Sequence, residues 1–148
     1  LLEHSSAVFP ASTTHHVAFA KKGAADGSDS GASASAGNRK DAPSSSLTMT
    51  LNTLPQTLSE DDRVVIADAC LASGDTVMRA VAEVVSRGAS PWNVRVVCAL
   101  AAPPALKRLA DAYPGLCVYA GCIDAEVDAG TGLLRPGFGD ASLRAFGG

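Results

Sequence analysis

The most regular alternation of apolar and polar positions lies in the second half of the chain. Val64-Val65-Ile66-Ala67 is a short unbroken apolar run, which predicts a strand covered on both faces. Val77, Ala80, Val81, Val84 and Val85 then recur at the spacing of an amphipathic helix stripe, closed by Gly88. The run from Val94 to Leu100 predicts a second strand. Pro103-Pro104 opens another helix, which carries Leu106, Leu109, Ala110 and Tyr113 and stops at Pro114-Gly115. Leu116 to Ala120 predicts a third strand. This strand-helix alternation is the grammar of a mostly parallel sheet with right-handed crossovers and flanking helices, so the predicted class is α/β.

The remainder is less regular. Leu1 to Pro10 has apolar residues near helical spacing and ends at a proline, and Thr13 to Ala20 reads as a strand. From about Gly23 to Ser46, Gly, Ala, Ser and Asp dominate, a composition that buries too little apolar surface to offset its backbone entropy. This stretch is expected to be a flexible, low-complexity insertion at 23–46 within one domain spanning 1–148. Leu133 to Ala141 is glycine-rich and too irregular for a further strand-helix repeat. No cationic start followed by an apolar core marks a signal peptide.

Composition narrows the function classes. In 148 residues, 47% are hydrophobic and 18% charged, enough apolar material for one soluble domain with a real core. The net charge of −3 argues against a broad nucleic-acid surface, and no apolar run is long enough for a membrane helix. Cys70, Cys98, Cys117 and Cys122 form no C-x-x-C pair, so no metal site is expected and reduced, mostly buried thiols are the plain reading. His4, His15 and His16 read as packing or surface residues. Arg79, Arg87, Lys107 and Arg108 read as solvated helix faces.

Ligands of open α/β sheets bind beyond the carboxyl ends of the strands, which directs attention to the connection from Asp68 to Thr76. Ala72, Ser73, Gly74, Asp75 and Thr76 are small residues whose backbone N–H groups can converge at a helix N-terminus. With the Ser73 and Thr76 hydroxyls they would cradle a phosphate, and Asp68 at the strand's end would meet sugar hydroxyls or a developing cation. Against this stands a simpler role, in which Asp75 or Thr76 caps the helix and Gly74 makes the turn. Cys70, close to a helix N-terminus, is placed where a thiol pKa can fall, though a filling role is the plainer one.

Val64 to Thr76, V-V-I-A-D-A-C-L-A-S-G-D-T, resembles the phosphoribosyl-diphosphate loop of uracil phosphoribosyltransferases, a hydrophobic strand followed by D-P-M-L-A-T-G-G-[ST]. Ala101-Ala102-Pro103-Pro104-Ala105-Leu106 is similar to the family's A-A-P-x-x-L, and Ile123-Asp124 to its I-D. Pro136-Gly137-Phe138-Gly139-Asp140-Ala141 is similar to its P-G-[LF]-G-D-A, and Phe146-Gly147 to its closing F-G. Thr50 to Pro55 and Glu3 to Ser6 look like the plant or algal branch. The resemblance covers nearly the whole chain outside the low-complexity stretch. It begins after the family's P-I-L-R-A-G-L segment, so a type I phosphoribosyltransferase fold, N-terminally truncated, is expected.

The resemblance implies transfer of phosphoribosyl from 5-phosphoribosyl 1-diphosphate to uracil, giving UMP and diphosphate in pyrimidine salvage. Its alternative is a degenerate, non-catalytic nucleotide-binding or assembly subunit. Asp68, Ala69, Cys70, Leu71, Ala72, Ser73, Gly74, Asp75 and Thr76 would bind the donor's ribose and 5′-phosphate, with Lys21 on the diphosphate where the family has arginine. Leu134, Gly139, Asp140 and Ala141 would bind uracil. Asp140 would also approach the donor as the catalytic residue. Mg²⁺ carried on the diphosphate, a GTP effector, a homo-oligomer, and a cytoplasmic or plastid location are further implications. Nucleic-acid and membrane partners are not expected.

The departures concentrate in the loop. Asp75 stands where the family has its second glycine, and Ala69, Cys70 and Ser73 replace Pro, Met and Thr. A carboxylate facing a phosphate at ~5 Å would cost roughly 3 kcal/mol at an effective dielectric of ~20. Lys21 lacks the planar fork of arginine. Ser142 and Leu143 stand for Gly and Asp after the uracil segment.

Overall fold

The computed structural model describes residues 12–21, 47–137, 139 and 144. The expected helix at Leu1–Pro10 and the expected insertion at 23–46 lie outside these residues. The chain forms two compact units, His15–Leu54 and a larger one comprising Leu1–Thr14 with Pro55–Gly148.

The smaller unit is a two-stranded antiparallel ribbon of β1 (Val17–Lys21) and β2 (Leu47–Asn52). β1 starts later than the sequence pattern predicts, because Thr53 closes its entrance. The Thr53 N–H donates to the His16 carbonyl at 3.0 Å, and the His16 N–H donates to Thr53 Oγ1 at 2.7 Å. His15 Nδ1 lies 2.7 Å from the Thr53 carbonyl, an acceptor only, so Nδ1 carries the proton. The His15 ring and the His16 backbone are thus tied to Thr53, His16 is exposed, and His4 lies outside the described residues.

In the larger unit, β3 (Val64–Leu71), α1 (Asp75–Ser86), β4 (Val94–Ala101), α2 (Pro103–Ala112) and β5 (Cys117–Ile123) alternate as predicted. A short 3-10 turn at Pro91–Asn93 leads into β4. The strands form a parallel sheet in the order β3-β4-β5, with Val64 opposite Val94 and Arg95 opposite Cys117. A small antiparallel ribbon, β6 (Glu126–Val127) and β7 (Leu134–Arg135), follows, so the irregular tail contributes a strand after all. The Arg135–Pro136 peptide bond is cis.

Two right-handed crossovers between strands in sequential spatial order put both helices on one side of the sheet. Burial along β4 agrees: Val94, Val96, Cys98 and Leu100 are buried, whereas Val97 and Ala99 between them are exposed. Among the described residues the other side is bare. Val65 is 51% exposed, Tyr119 59% and Ile123 58%. The expectation that Val64–Ala67 is covered on both faces is therefore corrected: a continuous apolar run records the residue types but not how many layers pack on them.

The helices behave as their stripes predict. Val77, Val81 and Val84 of α1, and Ala105 and Leu109 of α2, are buried, although Ala110, expected on that stripe, is exposed. Two of the arginines are engaged by other parts of the chain. Arg87 donates through Nε and Nη2 to Glu83 Oε1 at 3.1 and 2.6 Å and through Nη1 to the Pro55 carbonyl at 2.5 Å. Its own carbonyl accepts the Leu58 N–H at 2.8 Å, so the segment before β3 is strapped to the end of α1. Arg108 is engaged at the loop described below. All four cysteines are free thiols, yet only Cys98 is buried; Cys70 is half-buried, and Cys117 and Cys122 are exposed on the edge strand β5, against the expectation of mostly buried thiols.

Candidate functional site

β3 continues through Leu71, four residues beyond the predicted strand. Asp68 therefore sits within the strand, opposite Cys98 of β4, and not at its end. Its alternation with Cys70 puts both on the side where Cys98 and Leu100 are buried. Burial pushes the Asp68 carboxyl above its ordinary range, against the pull of the Ala69 and Cys70 backbone N–H groups. Burial also raises the Cys70 thiol, with the Asp68 and Asp124 charges adding to it. The depressed thiol that a helix N-terminus can produce does not arise, because burial first, and then these negative neighbours, act in the opposite sense.

The chain then turns within three residues. Ala72 and Ser73 bend, and Gly74 adopts φ 78°, ψ 2°, the left-handed region that glycine enters freely. α1 begins at Asp75. Gly74 is the N-cap and makes no side-chain cap bond, while the Asp75 N–H donates to Ser73 Oγ at 3.4 Å, so the capping role weighed for Asp75 or Thr76 is not used. Asp75 instead folds back on the loop. The Ser73 hydroxyl donates to Asp75 Oδ2 at 2.9 Å, and Arg108 Nη1 lies 2.8 Å from Oδ1. The same Nη1 donates to the Ser73 carbonyl at 2.6 Å. Thr76 is exposed.

Neighbouring strand ends are tied to this turn. The Ala102 N–H donates to the Leu71 carbonyl at 2.9 Å, and the Asp124 N–H to the Ala101 carbonyl at 2.8 Å. Leu134 on β7 is buried with Leu100 and Ala102, and Cys70, Ala72 and Val127 pack against them. One apolar cluster thus joins a residue expected at uracil to two residues of the expected donor loop. Gly139 is exposed with φ 63°, and Asp140 and Ala141 lie outside the described residues. Lys21 ends β1 in the smaller unit, and its side chain is likewise outside them.

Two residues of this region were not among the expected site residues. Arg108 was hidden by its place on a polar helix face; only the opposite charge at Asp75 could have hinted at it. Asp124, 4% exposed, carries an Oδ2 with no hydrogen-bond partner. Its signal was an acidic residue directly after an apolar strand. Among the described residues no three His, Cys, Asp or Glu side chains converge as metal ligands.

Across the whole chain, a family model described as uracil phosphoribosyltransferase matches residues 2–148. The chain belongs to the uracil phosphoribosyltransferase family. It is 38% identical over 147 residues to the chloroplastic uracil phosphoribosyltransferase of Arabidopsis thaliana, covering 99% of this chain and 43% of that protein. The uracil phosphoribosyltransferase of Nicotiana tabacum is 35% identical over 147 residues, covering 99% and 57%. That of Nostoc sp. is 46% identical over 97 residues, 66% of this chain and 44% of the relative. The chain spans about half the length of these relatives. The solved structure of the AQ2163 protein from Aquifex aeolicus superposes with a TM-score of 0.71 at 22% identity, covering 99% of this chain and 59% of that one, and it shares the fold. The family resemblance read from the loop and the P-G-F-G-D-A segment is thereby borne out, as is the α/β class.

Proposed function

We propose that this member of the uracil phosphoribosyltransferase family carries the donor loop and uracil segment of an enzyme that makes UMP and diphosphate from uracil and 5-phosphoribosyl 1-diphosphate. The observation that supports it is the packing of Leu134 with Leu100 and Ala102 against Cys70 and Ala72, which brings the two ends of such a site into one cluster.

In this reading the turn from Ala72 to Thr76 takes the 5′-phosphate on the first amides of α1 and the Thr76 hydroxyl, and Asp68 through Leu71 line the ribose. Leu134, Gly139, Asp140 and Ala141 take uracil, with Asp140 at the ribosyl donor and Lys21 on the diphosphate. The new bond forms between uracil N1 and the anomeric carbon as the bond to diphosphate breaks, and the proton that N1 loses passes to solvent. A chain doing this gains rate by aligning the two substrates and by placing oriented dipoles around the charge that develops. Mg²⁺ would enter on the donor's diphosphate, whose hard oxygens suit it, and supply charge neutralisation there. A homo-oligomer, GTP as effector, and a cytoplasmic or plastid setting belong to the same proposal.

The test is calorimetric titration of the chain with phosphoribosyl diphosphate and Mg²⁺, followed by chromatography for UMP after adding uracil. Saturable donor binding with UMP formation is the expected result. Saturable donor binding without UMP would favour the non-catalytic alternative, and no binding of either substrate would remove the proposal.

A further inference from the structure

Two groups that a phosphate could use at this loop, the Ser73 hydroxyl and the Arg108 guanidinium, are engaged by the chain itself. Asp75 Oδ2 receives the Ser73 hydroxyl at 2.9 Å, and Oδ1 lies 2.8 Å from Arg108 Nη1. We propose that Asp75 is an internal competitor for the loop's anion site, and that Arg108 is a donor-binding residue that passes from the Asp75 carboxylate to the incoming phosphate. This rests on the reading of the loop as the donor site.

Three features carry the exchange. First, Arg108 Nη1 also donates to the Ser73 carbonyl at 2.6 Å, so the guanidinium is anchored to the loop backbone independently of the carboxylate. Its remaining N–H donors leave it able to serve a second oxygen acceptor from the same position. Second, the Asp75–Arg108 contact is a charge pair without hydrogen-bond geometry, since Oδ1 is closed off from solvent yet accepts no hydrogen bond. A carboxylate oxygen held by charge alone is more readily exchanged than one held by a bidentate fork. Third, the Arg108 side chain is 43% exposed, so a ligand arriving from solvent reaches it although Asp75 Oδ1 is covered. A phosphate dianion offers Arg108 more charge and more acceptor oxygens than a carboxylate does, which gives the exchange its direction. The released Asp75 then has to leave the anion's neighbourhood, and that displacement is the cost of having an acidic residue at this turn.

The test uses the full chain and four forms of it: unmodified, Asp75→Asn, Arg108→Met, and the double variant. The titrants are ribose 5-phosphate and, separately, phosphoribosyl diphosphate with Mg²⁺. Asparagine keeps the shape and the hydrogen bond from Ser73 but removes the charge. Asp75→Asn is expected to tighten binding about tenfold, equivalent to ~1.4 kcal/mol. Arg108→Met is expected to weaken binding more in the Asp75→Asn background, where the arginine is already free, than in the unmodified one. Melting curves provide a readout that needs no binding. The two substitutions should be non-additive in the free protein and additive at saturating ligand. Additivity in the free protein would overturn the pair itself. Non-additivity with equal affinities of the unmodified and Asp75→Asn chains would leave the donor loop standing and overturn the competition. Failure of every form to bind either titrant would overturn the donor reading and the competition with it, while the melting result still reports on the ion pair.

Discussion

A Cβ built on Gly74 would stand 3.2 Å from the Cβ of Ala105, so the start of α2 presses against the turn that starts α1. Gly74 is buried there with φ 78°. Replacing it by alanine imposes both a left-handed conformation and a close contact. Gly74→Ala is expected to destabilise the chain by about 1–2 kcal/mol, from the conformational cost alone. Gly74→Asn adopts this region more easily but meets Ala105 with the same Cβ and a larger polar group, so it should not recover the stability of glycine. Urea denaturation of the three forms checks the order, and equal stabilities would mean that the turn relaxes without strain.

The strap made by Arg87 is a second point of leverage. Its side chain is only 18% exposed and holds Glu83 and the Pro55 carbonyl together. Arg87→Met keeps the stem but leaves that carbonyl and Glu83 without the guanidinium. A loss of roughly 1.5–3 kcal/mol is expected, the range for hydrogen bonds to a charged group. Thermal melting measures it, and hydrogen exchange at Leu58, whose N–H donates to the Arg87 carbonyl, should accelerate in parallel.

The raised Asp68 carboxyl predicts a pH dependence with a definite sign. An unfolded aspartate titrates near 3.9, and the folded group releases its proton at higher pH. Its contribution to stability is therefore complete below the unfolded value and is lost as pH rises through the folded one. Asp68→Asn removes this loss. Relative to the unmodified chain, the variant should be more stable at pH 7 than it is at pH 3. Urea midpoints at the two pH values decide it, and a difference that is constant or reversed would contradict the burial argument.

Thiol labelling offers a check that needs no mutation. Cys117 and Cys122 are exposed, Cys70 is half-buried and Cys98 buried. Burial also holds the Cys70 and Cys98 thiols above their usual range, which lowers the reactive thiolate fraction. Maleimide labelling at neutral pH should modify Cys117 and Cys122 rapidly and Cys70 and Cys98 slowly, as read by peptide mass mapping. Fast modification of Cys98 would show that β4 opens.

The order of strands and helices was legible because each carries an unambiguous period: the Val77–Val85 stripe, the Val94–Leu100 run and the Pro103-Pro104 start each sit where the structure has the element. Strand ends were less so. Asp68, Ala69 and Cys70 look like a turn in isolation, but the parallel neighbour β4 supplies partners as far as Leu71–Ala101 and draws them into the sheet. The two-residue strands β6 and β7 have no period to detect, and they form because Asp128 organises the turn between them. Its Oδ1 accepts from the Gly130 and Thr131 N–H groups and the Thr131 hydroxyl at 3.0, 2.8 and 2.9 Å. At the candidate site the loop was readable from its residue types. The fate of Asp75 was not, since its partner Arg108 lies on another helix and a contact so distant in sequence leaves no local pattern.

The side of the sheet that stands bare among the described residues has a thermodynamic signature. Val65, Val97, Tyr119 and Ile123 already meet water in the folded state, so unfolding wets less new apolar surface than a two-sided sheet of this length would. The heat capacity of unfolding follows newly wetted apolar area and should fall below the usual value of about 12–15 cal/mol/K per residue. A small heat-capacity change flattens the curve of stability against temperature. This chain should therefore lose little stability on cooling.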